Sequence, residues 1–108
     1  MSLTGPFPTD IVLALSSLQS LDLSGNSLTG TIPASLANLT NLTSIELSNN
    51  DFVGPLPTQL GALDTMQVFT VANNPLSGLV PYEYNTWTMI ANWQLQGNNF
   101  SYAIGPPM

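Results

Sequence analysis

Leu18-Gln19-Ser20-Leu21-Asp22-Leu23-Ser24-Gly25-Asn26-Ser27-Leu28-Thr29-Gly30-Thr31-Ile32-Pro33 is the stretch that decides how this chain folds. Twenty-four residues later it returns as Leu42-Thr43-Ser44-Ile45-Glu46-Leu47-Ser48-Asn49-Asn50-Asp51-Phe52-Val53-Gly54-Pro55-Leu56-Pro57. It returns again around Asn74, Leu76, Gly78, Val80 and Pro81, and in weaker form around Asn98, Phe100 and Ile104. A fixed period of this length marks a stacked-repeat architecture, in which each repeat buries its apolar face only against its neighbours.

Within the unit, Leu21-Asp22-Leu23 alternates with period two, so the leucines turn inward and Ser20, Asp22 and Ser24 face out. Short strands are expected near residues 20–24, 44–48, 68–72 and 92–96, each parallel to its copy in the next coil. A ladder of asparagines (Asn26, Asn50, Asn74 and Asn98) follows the strands, where an amide side chain can satisfy backbone groups turning inside the coil. Gly30, Gly54 and Gly78 let the backbone turn. Ile32, Leu56, Val80 and Ile104 plug the core, and Pro33, Pro57 and Pro81 stiffen the exit to the convex side. Leu36, Leu39 and Leu42, spaced by three, fit a short 3₁₀-like turn.

These residues resemble the plant-type leucine-rich repeat, LxxLxxLxLxxNxLxGxIPxxLxx, of receptor-kinase ectodomains and polygalacturonase-inhibitor-like proteins. The resemblance implies an α/β solenoid: a right-handed superhelix of about four coils with one parallel concave sheet. One repeat domain spans residues 1–108, with a partial first coil at 1–17, coils at 18–41, 42–65 and 66–89, and a closing coil at 90–108. The family usually caps both ends with cysteine pairs, and this chain has no cysteine. The resemblance further implies an extracellular or secreted, receptor-like binding module, which can be the ectodomain part of a larger membrane-anchored protein. Fold alone does not name a ligand.

Charge narrows the partners. The 108 residues include six acidic side chains and no Lys, Arg or His. Such a surface repels phosphate backbones, which excludes nucleic acid, and any charged partner is expected to be basic. No run approaches the roughly 18 apolar residues of a membrane span, so no membrane insertion is expected. The first residues do not read as a secretory signal. Without His, Lys or Cys no nucleophile dyad can be assembled, and the glycines recur once per coil instead of clustering around a phosphate. A non-enzyme without cofactor or resident metal is expected.

Taken in order, Ser2-Leu3-Thr4-Gly5-Pro6-Phe7-Pro8 repeats the second half of a coil, so the chain enters in mid-repeat with no helix over the first core layer. Asp10 to Leu15 reads as a convex turn with Asp10 as N-cap. Asn38, Asn41 and Asn99 each begin an Asn-x-Ser/Thr triplet at a position expected to be exposed, and are candidate N-glycosylation sites. In the last coil Tyr82, Tyr84, Trp87 and Trp93 gather, Trp93 takes an inward leucine position, and Tyr102 and Gly105 replace the usual glycine and proline. This aromatic group reads as a closing layer, with a ligand platform as the alternative.

The binding site is placed on the concave strip. Its outward columns are Ser20, Ser44, Val68 and Asn92; Asp22, Glu46, Thr70 and Gln94; and Ser24, Ser48, Ala72 and Gln96. Neighbouring strands about 4.8 Å apart make this a flat polar surface suited to a protein, peptide or glycan. Asp22 and Glu46 stand side by side, read as a solvated pair, as a contact for a basic partner or weakly held calcium, or as a glycosidase pair. The last needs a cleft that nothing in the sequence builds. Three functions stay open: a recognition module; a structural subunit that stacks through uncapped ends, meeting another chain around Phe7, Val12 and Leu15; and adsorption to a surface such as ice, which lacks the regular Thr rows it would need.

Overall fold

The computed structural model describes residues 2–101. In chain order it contains β1 (Thr4–Pro6), α1 (Asp10–Ala14), β2 (Ser20–Asp22), β3 (Ser27–Thr29), β4 (Ser44–Glu46), β5 (Val68–Thr70), β6 (Ser77–Gly78), β7 (Asn92–Gln94) and β8 (Asn99–Phe100). Three 3₁₀ turns lie between the strands, at Ala34–Asn38, Thr58–Ala62 and Tyr82–Thr86. Strands β2, β4, β5 and β7 form one parallel sheet in that order. Its register pairs Ser20 with Ser44, Ser44 with Val68, and Val68 with Asn92, the columns read from the repeat. The strands are three residues long, but backbone bonds continue past them: the Leu23 amide donates to Glu46 and the Gly25 amide to Ser48, both at 2.9 Å.

The expected single concave sheet is present, and a second tier of pairing lies beside it. β1 pairs with β3 and β6 with β8, both in parallel. Between these pairs, Gly54 bridges to Leu76, and the Asp51 and Val53 amides donate to Leu28 and Gly30 at 2.8 Å. The alternating segment around each repeat's Gly-turn is thus itself extended enough to pair with its copies. Gly5, Gly30, Gly54 and Gly78 in this tier all have φ between 77° and 85°, where a Cβ is disfavoured.

Each 3₁₀ turn follows an extended proline, Pro33, Pro57 or Pro81, whose ring fixes φ and directs the chain to the convex side. The turns point Leu36, Leu60 and Tyr84 inward, and they meet Leu21, Ile45 and Phe69 of the sheet in a single continuous core. Asn50 shows how the ladder works. Its Oδ1 accepts from the Leu28 amide of the preceding coil at 3.1 Å, and its Nδ2 donates to the carbonyls of Leu23 at 2.9 Å and Leu47 at 3.2 Å. Asn26, Asn74 and Asn98 accept in the same way from Leu3, Phe52 and Leu76. Among the described residues no buried side-chain nitrogen or oxygen lacks a partner.

The N-terminal layer departs from expectation. Residues 10–14 form a helix, with Thr9 rather than Asp10 at its N-cap position, so Asp10 lies in the first helical turn. Phe7, expected on an open face, is 4 % exposed and lies 6.3 Å from the Phe52 ring. The Phe7 ring is thus enclosed beside an aromatic ring that comes from two coils further on. The exposed apolar residues there are Leu3, Leu13 and Leu15. Tyr102, Ile104 and Gly105 lie outside the described residues, and with them the expected last core plug.

Candidate functional site

The concave strip keeps its predicted register but not its uniform exposure. Ser20, Asp22 and Ser24 on the first strand, and Gln94 and Gln96 on the last, are exposed, whereas Ser44, Glu46 and Asn92 are half-buried. Ser48 and Thr70, expected on the open face, are buried at 8 % and 5 % exposure. The Ser48 Oγ accepts from the Ala72 amide at 2.9 Å, so this hydroxyl serves the next coil and is withdrawn from any ligand. Thr70 is registered between the longer Glu46 and Gln94, which leaves a short side chain below its neighbours. The strip is therefore two polar shoulders with a low middle.

On the first shoulder the Asp22 carboxylate accepts from the Ser24 hydroxyl at 2.5 Å and from the Ser24 amide at 3.0 Å. These bonds favour the charged form and hold the carboxyl below its ordinary range, against a small opposing effect of burial. Asp22 and Glu46 are register partners, yet the carboxylate of Asp22 is held by its own strand end. Among the described residues no group of three His, Cys, Asp or Glu side chains could hold a metal ion. On the last shoulder Gln94 Nε2 donates to Asn92 Oδ1 at 3.1 Å.

Two exposed residues beside the strip were missed by the sequence reading. Asn49 and Asn73 have φ of 61° and 58°, and Asn73 Nδ2 donates to Asn49 Oδ1 at 3.1 Å. Gly25 and Gly97 hold the same place in the flanking coils, also at positive φ. The doublets Asn49-Asn50 and Asn73-Asn74 opposite Gly25-Asn26 and Gly97-Asn98 were the available signal, since Asn and Gly are the residues that enter the left-handed region readily. A Cβ on Gly97 would meet the Asn73 side chain, so glycine gives that amide its room.

The aromatic group divides. Tyr84 and Trp87 are buried and stacked with centroids 4.1 Å apart and planes 14° apart, and Phe69 meets both rings. Burial, and to a lesser degree the nearby Glu83 charge, pushes the Tyr84 hydroxyl's pKa well above its ordinary value. Trp93 is half-buried against this core, and Tyr82 stands in solvent at 76 % exposure. On the convex side a shallow groove of about 570 Å³ runs between the second and third 3₁₀ turns, beside Tyr82. The side chains of Asn38, Asn41 and Asn99 are all exposed. No helix of the described residues is long and apolar enough to cross a membrane.

Residues 7–52 match the model of the leucine-rich repeat family. No curated protein matches the chain in sequence. Among solved structures, the chain superposes on PEPR1, in its complex with AtPEP1, with a TM-score of 0.89 and 37 % identity, covering 95 % of this chain and 14 % of that one. The Arabidopsis receptor kinase HAESA, in complex with the peptide hormone IDA and the co-receptor SERK1, gives 0.86 and 37 %, covering 92 % and 17 %. The BIR2 ectodomain from Arabidopsis thaliana gives 0.89 and 34 %, covering 94 % and 53 %. The chain thus spans about half the length of the shorter ectodomain and a small fraction of the larger receptors.

Proposed function

We propose, for what is a leucine-rich repeat domain resembling the ectodomains of plant receptor kinases, a role as an extracellular, non-catalytic module that recognises a protein or peptide. The observation that carries this reading is the concave strip itself. One shoulder presents the Asp22 and Glu46 carboxylates on adjacent strands, and the other, beyond the Thr70 strand, the Gln94 and Gln96 amides two residues apart, in a chain with no side-chain cation. Carboxylates and amides in that spacing fit the amides of an extended peptide and its basic side chains. The likeness to HAESA, described in complex with the peptide hormone IDA, supports a peptide over a glycan.

Selection of a random peptide library on the purified protein tests the reading. Enriched sequences are expected to be rich in Lys and Arg, and the double variant Asp22→Asn/Glu46→Gln is expected to lose about tenfold in affinity for them. No enrichment, equal binding by the variant, or hits confined to a glycan array overturns it. The same proposal includes a single repeat domain over residues 1–108, N-glycans at Asn38, Asn41 or Asn99, and contact with another chain at the N-terminal layer. Phe7 is buried, so such a contact falls to Leu3, Leu13 and Leu15; Leu13 is 87 % exposed. A mass shift on treatment with peptide N-glycosidase, and light scattering of Leu13→Ser beside the parent chain, check these two points.

A further inference from the structure

The convex side carries an exposed aromatic residue away from the concave strip. Tyr82 opens the third 3₁₀ turn and stands almost free in solvent, with a depression on either side of it, of about 570 and 340 Å³. Both depressions are lined by Thr58, Tyr82 and Glu83. Gln59 and Asn85 edge the larger one, and the exposed Leu79 lines the smaller.

The platform is preformed. Thr86 Oγ1 donates to the Gly61 carbonyl at 2.6 Å and is 3.2 Å from the Glu83 carbonyl, clasping the second and third turns together. Tyr84 Oη donates to Pro57 at 2.7 Å and Trp87 Nε1 to Leu60 at 3.2 Å from below. The turns approach so closely that a Cβ on Gly61 would lie 2.6 Å from the Glu83 carbonyl oxygen. A surface fixed in this way loses little conformational freedom on binding. Glu83 sits half-buried on it, and no Lys, Arg or His anywhere in the chain can neutralise its carboxylate.

We propose that this surface takes the side chain of an arginine or lysine presented by a partner protein, laid across the Tyr82 ring with its charge on Glu83. An exposed aromatic face attracts a cation, and the adjoining carboxylate supplies the charge-assisted hydrogen bond that a neutral ligand cannot use. The net charge of −6 steers the same kind of partner towards the surface.

The probe is Nα-acetyl-arginine amide, titrated by NMR beside its neutral isostere, Nα-acetyl-citrulline amide. The arginine compound is expected to move the Tyr82 ring and Glu83 resonances, and the citrulline compound to bind about tenfold more weakly. Tyr82→Ala and Glu83→Gln are each expected to lower the arginine affinity about fivefold, with melting unchanged because neither side chain is in the core. Asp22→Asn/Glu46→Gln leaves this binding intact, which separates its outcome from that of the concave strip. Equal binding of the two amides overturns the proposal, as do shifts centred on Asp22 and Glu46. A neutral chito-oligosaccharide that binds the turns and ignores Glu83→Gln also overturns it, making Tyr82 a sugar platform instead.

Discussion

The first and third 3₁₀ turns occupy the same place in their coils and are held there by different means. In the first, Ala34–Asn38, the inward residues are Leu36 and then Leu39, and beyond its backbone bonds the turn is kept by apolar burial, with no side-chain hydrogen bond to the coil before it. In the third, Tyr84 stands where Leu36 and Leu60 stand in earlier coils, and Trp87 where Leu39 and Leu63 stand. Each aromatic fills the leucine's place with a larger ring and adds a polar tip that bonds to the coil before it, at Pro57 and Leu60. Burying those tips without partners would cost stability, and the repeat supplies carbonyls at the right height. A repeat position therefore specifies where a side chain points and leaves open how tightly it fastens one coil to the next.

The contrast can be broken first at Trp87. Trp87→Ala is expected to cost about 3–5 kcal/mol, read from the shift of the urea midpoint, because it removes a fully buried ring with its bond. If Leu39→Ala costs more, the aromatic turn is no better fastened than the aliphatic one. The asparagine ladder is the control, since it is alike in both regions. Asn50→Ala and Asn74→Ala are each expected to cost about 1–3 kcal/mol by the same measurement, because each leaves a buried amide without its acceptor. A marked difference between them would show that the ladder, too, changes along the stack. Tyr84→Phe isolates the polar tip: a loss of about 0.5–1.5 kcal/mol is expected, with the near-ultraviolet signal of Trp87 retained.

The smallest effect lies on the exposed first strand. The folded pKa of Asp22 is depressed by Ser24, so the stabilisation is present above the unfolded value of 3.8 and is lost as pH falls through the folded one. Ser24→Ala should return the Asp22 titration, followed by NMR, towards 3.8, and should leave the variant and parent chains equally stable in acid. An Asp22 titration unmoved by the substitution would mean that the hydroxyl contributes nothing.

The sheet, its register and the ladder were legible because they depend on period alone: a strand residue and its copy twenty-four positions on must meet whatever lies between them. Exposure was less legible because it depends on neighbours. Ser48 and Thr70 carry the same pattern as Ser24 and Asp22, yet each has a strand on both sides, whereas β2 is an edge. Phe7 was misplaced for a related reason. Its layer has few residues of its own, and the ring is enclosed beside Phe52, which the sequence places two coils further on. The Asn49–Asn73 bond was hidden in plain doublets, since a left-handed backbone leaves no periodic mark. The Tyr82 groove depends on a close approach at Gly61 that no pattern of apolar residues reports.

Every ladder asparagine reaches backwards. The Leu28 amide waits for Asn50, the Phe52 amide for Asn74 and the Leu76 amide for Asn98, each 22 residues further on. The stack accordingly has an arrow. A polypeptide emerging from the ribosome completes each coil only when the following one arrives, so its newest coil is always the least finished. Shortening from the two ends is likewise unequal: removing a late coil strips an acceptor from the one before it, while removing an early coil frees an asparagine that still bonds to its own turn at Leu47 or Val71.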